Sequence, residues 1–250
     1  MSGAGAALFA LMHDHAHGTA EEAHRFYDFD HVPDRLSCSG WREAQRFARV
    51  DAPADVPGDD LPRWTEFLYM HAVDSLDALT SPARHAFDEG SPWARARAHA
   101  GTGLPSRALR TGWRRRASPW LGAISYRIPP PRALFVVLYD IAPAHVAAVD
   151  HHVEGEVVPE LLSCPGFLHC ERFEAGPPLT PVPGSEGLTQ PDRMDVYDLA
   201  SAEVLSGGGF TRWRAGPSPR SRALAGSTTV RGAGAYVQRP SPWLIETWTP

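Results

Sequence analysis

Short apolar runs and longer polar-faced segments follow one another along this chain in an order that occurs twice. Residues 6–13 (AALFALMH) and 132–139 (RALFVVLY) are short and almost wholly apolar, the pattern of buried strands. Residues 19–31 and 143–156 carry helical spacing, and Pro33 and Pro159 are expected to close those helices, because a proline pushes the preceding residue out of the helical region. Next come a glycine turn and a second strand (GWREAQRFARV, GFLHCERFEA), then a third strand (RWTEFLYMHAV, RMDVYDLA). A helical stretch ending near Trp93 or Trp213 and a last strand (GAISYRI, LIETWTP) complete each unit.

The repetition is literal as well as rhythmic. FDHVPDRLSCSGW at 29–41 answers GEVVPELLSCPGF at 155–167, an offset of 126 (159 minus 33). The same offset aligns Ala7-Leu8-Phe9 with Ala133-Leu134-Phe135, Gly40 with Gly166, and Arg46-Phe47 with Arg172-Phe173, while Tyr69 is matched to Tyr197. The expected organisation is therefore α+β, with two ferredoxin-like β-α-β-β-α-β repeats spanning 1–130 and 131–250. They are joined at Pro129-Pro130-Pro131 and packed sheet to sheet about a pseudo-two-fold axis, as a monomeric pseudo-dimer that can pair further.

Composition narrows the chemistry. All 24 positive charges are Arg, with no Lys and no Asn, which removes lysine Schiff-base chemistry, the pyridoxal phosphate aldimine and the lysine of a phosphate-binding loop. The codon bias behind that usage points to a GC-rich, bacterial genome. A net charge of -5 argues against a nucleic-acid partner. The basic stretch Arg107, Arg110, Arg114, Arg115 and Arg116 reads as a solvated connecting loop, with a seat for an anionic substrate tail as the alternative. Three cysteines (Cys38, Cys164, Cys170) are too few for a disulfide framework, and no run is long enough for a membrane span or a signal segment. A cytoplasmic protein with reduced thiols is expected.

Within the first unit a helix carrying Tyr27-x-x-x-His31-x-Pro33, followed by Gly40-Trp41 and the Arg46-Phe47 strand, resembles the EthD-type branch of the dimeric α/β-barrel proteins. In the second unit Pro159, Gly166, Phe167, Arg172 and Phe173 carry the match, while Val153 and Val157 stand at the Tyr and His positions. The resemblance implies a tandem version of a barrel usually assembled from two chains. Its superfamily includes muconolactone-type isomerases, polyketide cyclases, cofactor-free and haem oxygenases, and accessory proteins.

Positions 20, 24, 27 and 31 form one helical stripe, read as Ala20, His24, Tyr27 and His31 in the first unit and Val146, Asp150, Val153 and Val157 in the second. Polar groups set against a sheet cost stability unless satisfied, so the first unit is expected to keep a pocket and the second to act as support. His31 is the candidate general acid/base and Tyr27 the donor to a developing enolate oxygen. A structural reading, with His31 capping the helix end, stands beside this one. His13, His24, Tyr69 and His71 are candidate polar contacts, and Phe9, Trp41 and Trp64 the apolar wall. His13, His15 and His17 alternate along a strand end, but lack a further fixed ligand and are not taken as a metal site.

The resulting expectation is an acid/base enzyme that needs no cofactor or metal: an isomerase, cyclase or dehydrating lyase. Its partner would be a small, apolar, carbonyl-containing substrate of polyketide-like or aromatic type. An oxygenase of the same fold, cofactor-free or with haem held by a His, is the first alternative, and a non-catalytic ligand-binding accessory protein the second.

Overall fold

A computed structural model describes residues 7–15, 21, 24–25, 27–50, 65–81, 105–116, 120–121, 131–181, 185, 187–216 and 218–239. Its strands are β1 (Ala7–His15), β2 (Trp41–Val50), β3 (Phe67–Val73), β4 (Pro105–Arg115), β5 (Trp120–Leu121), β6 (Ala133–Ile141), β7 (Phe167–Ala175), β8 (Arg193–Leu199) and β9 (Thr228–Gln238). They form one antiparallel sheet in the order β4-β1-β3-β2-β9-β6-β8-β7-β5, and β4 also pairs with β7. The expected face-to-face stacking of two sheets is thus replaced by edge-to-edge joining. Val50 pairs with Ala235 on one side and Trp113 with Ala175 on the other. Unpaired backbone edges find hydrogen bonds this way without a second layer.

Register repeats along the chain. Ala7 faces Val73 and His13 faces Phe67, while Ala133 faces Leu199 and Tyr139 faces Arg193, each pair displaced by 126 (133 minus 7). This register sets Tyr69 against Asp195 and His71 against Tyr197, correcting the match of Tyr69 with Tyr197. The fourth strands are also corrected: they run over 105–115 and 228–238, whereas 122–128 and 244–250 lie outside the described residues. The basic stretch is accordingly not a loop. Arg107, Arg110, Arg114 and Arg115 belong to β4, where alternation places Arg110 and Arg114 on one face and Arg115 on the other. The helical stretch near Trp93 lies outside the described residues, and its counterpart is α4 (Gly208–Ala215).

The prolines do not end the helices. A wide π turn, Tyr27–His31, runs into α1 (Val32–Leu36), and α2 (Val146–His152) continues through a second π turn, Val153–Val157, into α3 (Val158–Ser163). Pro33 and Pro159 sit in the first turn of α1 and α3, where the absent N–H and the ring are tolerated because the π turn has already shifted the hydrogen-bond ladder. Among the described residues no helix is long and apolar enough to cross a membrane.

Strand alternation divides the core in two directions. Leu8, Met12, Phe47, Leu68 and Trp113 meet Leu134, Leu138, Phe173, Met194 and Tyr236 inside the ring of strands. Phe9, Leu11, Trp41, Phe67 and Tyr69 face outward under the helix of the first half, and Phe135, Phe167, Tyr197 and Phe210 do the same in the second. Polar tips in the interior are satisfied locally: Trp113 Nε1 donates to Thr111 at 2.7 Å and the Tyr236 hydroxyl to the Thr65 carbonyl at 3.1 Å. Arg132, just past the proline tract, donates to Asp198 in its own half and to Gln45 of β2 at 2.5 Å, bracing the junction.

Gly40 and Gly166 hold the tight turns into β2 and β7 with φ of +86° and +93°. A side chain at Gly40 would come within 3.0 Å of Ala78, and one at Gly166 would run into Val204. Gly166→Ala is expected to cost about 2–4 kcal/mol and Gly40→Ala about 1–2 kcal/mol, from left-handed strain with and without overpacking. Urea denaturation of the two variants reads the difference, and equal midpoints would contradict it.

Candidate functional site

The outward face of β1 and β3 in the first half carries His13, Tyr69 and His71 at alternate positions, and the π turn lays Tyr27 and His31 over them. Tyr27 and Tyr69 have ring centroids 4.3 Å apart, and His13 stacks 4.8 Å from Tyr69 and 5.4 Å from Tyr27. His31 meets Tyr27 edge-on at 5.0 Å. A second lobe joins Phe9, Trp41 and His71, with Trp41 5.0 Å from the His71 ring. His24 touches Phe67 at 5.0 Å. Sequence-predicted residues Tyr27, His31, His13, His24, Trp41, Tyr69, His71 and Phe9 therefore gather in one neighbourhood, while Trp64 lies outside the described residues.

Burial sets the protonation states. His13, His71, Tyr27 and Tyr69 are buried, and His31 is half-buried. Burial, then the charges of Arg35 and its neighbours, drives the His31 imidazole well below its ordinary 6.5. Tyr27 is pushed up to about 12 by burial, against the opposing pull of Arg110, Arg46 and Arg35. Tyr69 is driven up in the same way. At neutral pH the cluster thus presents a neutral imidazole able to accept a proton beside neutral phenols able to donate hydrogen bonds.

Four arginines complete the surroundings, and sequence reasoning did not place them in the site. Arg46 is buried in the middle of β2, ion-paired to Asp28, with Nη2 2.7 Å from His24 Nδ1 and its guanidinium 5.1 Å from the Tyr69 ring centre. Arg35 lies over Trp41 at 5.5 Å. The charges of Arg110 on β4 and Arg239 just past β9 are felt at Tyr27 and Tyr69 respectively. The signal for Arg46 was present, since Arg46-Phe47 and Arg172-Phe173 recur at the same offset. A buried arginine conserved between two halves of one chain needs partners in both.

The second half answers that need differently, and corrects the expectation that valines fill its gap. Val153 and Val157 do pack on the apolar cluster there, but the deeper space is ionic. Arg172 donates to Asp195 at 2.9 Å, to Glu154 at 2.8 Å and to the Tyr139 hydroxyl at 2.6 Å, and Tyr139 donates on to Asp195 at 3.1 Å. Asp150 accepts from Arg193 at 2.8 Å and pairs with Arg116 at 3.0 Å. Every register position matters: Asp195 stands where the first half has Tyr69, Tyr139 where it has His13, and Asp150 where it has His24. One half is closed by salt bridges; the other holds aromatic rings and imidazoles. Among the described residues no group of three His, Cys, Asp or Glu side chains is placed to hold a metal ion, and His17 and the side chain of His15 lie outside them.

No protein-family model matches the sequence, and no curated protein matches it. Solved structures do match in fold. An anthrone oxidase-like protein superposes with a TM-score of 0.60 at 13% identity, over 97% of this chain and 96% of its own. Chlorite dismutase from Candidatus Nitrospira defluvii, in complex with imidazole, gives 0.55 at 10% identity over 97% and 94%. A dye-decolorizing peroxidase from Bacteroides thetaiotaomicron gives 0.55 at 9% over 98% and 96%. At such identities the likeness speaks for architecture: an α+β fold built on one large antiparallel sheet, similar to the dimeric α/β-barrel proteins.

Proposed function

We propose that this chain is a tandem pseudo-dimer of the EthD-type barrel whose first half removes a proton from carbon next to a carbonyl in a small, largely apolar aromatic or polyketide-like substrate. What carries the reading is the contrast between halves. His31, Tyr27, His13 and Tyr69 cluster in one, while Val157, Val153, Tyr139 and Asp195 stand at the same positions in the other, where Arg172 locks Tyr139 and Asp195. Its supporting register is the repeated 126-residue displacement of strand pairs (133 minus 7).

In this reaction a ring nitrogen of His31 takes the proton and the C–H electron pair moves into an enolate. The Tyr27 hydroxyl donates a hydrogen bond to the oxygen on which the charge develops. The stack of Tyr69, His13 and Phe67 and the Trp41 and Phe9 lobe supply flat apolar contact for an aromatic substrate. Return of the proton to another carbon gives an isomerase. Expulsion of a hydroxyl from the carbon beyond the enolate, protonated to water by the His31 imidazolium, gives a dehydrating lyase. Attack of the enolate carbon on a second carbonyl of the same substrate, whose alkoxide takes that proton, gives a cyclase.

A second reading starts from the same carbanion and lets dioxygen trap it, an oxygenase step favoured by the fold likeness to the anthrone oxidase-like protein. Anthrone, whose methylene is acidified by its carbonyl through the fused rings so that its conjugate base is an extended enolate, separates the two. Loss of deuterium from its methylene without oxygen uptake supports proton transfer alone, and oxygen uptake with quinone formation supports oxygenation. An intense Soret band in the purified protein would instead transfer the chemistry to haem.

His31→Ala should slow deuterium loss by about a hundredfold to ten-thousandfold, and unchanged exchange would remove His31 as the base. Tyr27→Phe should slow it by about a hundredfold, in kcat more than in KM, as expected for a donor that acts in the transition state.

The pH profile has a fixed sign. Protonation removes the base, and the folded His31 titrates below 6.5, so kcat/KM should hold as pH falls through 6.5 and decline only at lower pH. Tyr27, pushed up to about 12, should add no alkaline limb below that value. An acid limb at or above 6.5 would count against the assignment of His31.

A further inference from the structure

Arg46 and Arg172 occupy the same position in the two halves, and each faces its cross-strand partner directly: Arg172 pairs in register with Asp195, Arg46 with Tyr69. Arg172 meets three carboxylates, Asp150, Glu154 and Asp195. Among the described residues Arg46 meets one, Asp28, which stands in register with Glu154. Where the second half supplies the other two carboxylates, the first supplies His24 and Tyr69, neither of them an anion. A guanidinium keeps its charge at any physiological pH; Asp28 balances that of Arg46, while the three carboxylates of the second half are shared among Arg172, Arg116 and Arg193, so the halves differ in the acceptors offered to the arginine and not in its charge.

The shortfall has a location. In the second half Nε of Arg172 donates to Asp195 at 2.9 Å. In the first, the Arg46 guanidinium and the Tyr69 hydroxyl interact with each other, but neither Nε nor the hydroxyl makes an aligned hydrogen bond to any other described group. Arg46 and Tyr69 are both 2% exposed, so water does not readily serve either group. Two buried donors that converge with no acceptor beyond the phenol oxygen itself form an incomplete seat, since a buried donor gains a strong bond from a charged acceptor that a neutral phenol does not supply. The positive potential of Arg35 and Arg110, felt at Tyr27 and His31, favours the same sign of ligand.

We propose that Arg46 Nε and the Tyr69 hydroxyl form a carboxylate-binding subsite, completed by the substrate in the way Asp195 completes the second half. The proposal rests on the proton-transfer reading for calling the ligand a substrate, and gives it a chemical class: an aromatic or polyketide-like carbonyl compound bearing a carboxylate. The carboxylate would sit against the strands while the carbonyl lies under the π turn at Tyr27 and His31.

Binding tests this without turnover. Calorimetry and thermal-shift titration with benzoate and with benzamide, which share a ring and differ in charge, should show at least about a tenfold preference for benzoate, falling as salt rises. Tyr69→Phe should weaken benzoate several-fold. Tyr69→Asp copies the second half by installing a carboxylate opposite Arg46. It should keep or raise the melting temperature and abolish benzoate binding, which separates a filled subsite from a misfolded one. Equal binding of benzoate and benzamide, no benzoate binding to the unaltered protein, or undiminished benzoate binding to Tyr69→Asp would each overturn the subsite. Tyr69-dependent benzoate binding in a protein that never exchanges anthrone deuterium would uphold the subsite and dismiss the proton-transfer reading instead.

Discussion

Pairing of β2 with β9 and of β4 with β7 is the constraint on which the remaining architecture depends. It uses the sheet edges that would otherwise expose unsatisfied backbone groups, and it commits the inward side chains of both halves to one shared interior. That interior is apolar and filled with large residues such as Trp113, Phe47 and Phe173, which leaves it no room for ionisable chemistry. Polar function is forced outward, onto the sheet faces that the helices cover. Both halves have such a face, and the sequence treats them differently.

The difference is best seen as two answers to one buried guanidinium. In the second half the arginine is locked by carboxylates and a tyrosine, each hydrogen-bonded in turn, and breaking such a network is costly even where forming it gains little. In the first half the same arginine is held by a single carboxylate, Asp28, and otherwise lies over a tyrosine ring and against a histidine. One end of the sheet is thus cross-linked by more ionic contacts than the other.

Much of this was legible in the chain. The apolar runs at 6–13 and 132–139, the doubled L-S-C-x-G turn and the Arg-Phe strand mark the first two strands of each half and the glycine turns between helix and strand at Gly40 and Gly166. The clustering of Tyr27, His31, His13, Tyr69 and His71 followed from helical and strand spacing alone. Other features were hidden for physical reasons. The basic stretch looks like a loop because charge density masks the alternation of a strand in which Arg114 reaches Glu174 and Arg115 reaches Glu171. The ionic network escaped because Asp150 and Glu154 are ordinary helix-surface residues by type, and only the fold brings them to Arg172. The helices run on through their prolines because a π turn, which leaves no compositional mark, precedes each one.

That wide turn has a geometric consequence of its own. Tyr27–His31 inserts slack just ahead of the straight segment Val32–Leu36, and an ordinary helix advances on the order of 100° per residue. Removing a single residue there would swing everything upstream around the axis by that amount, carrying His24 and Tyr27 away from the strands while the downstream residues kept their seats. Side-chain alignment across the gap is therefore governed by chain length at one point, and an insertion or deletion would retune it more abruptly than any substitution.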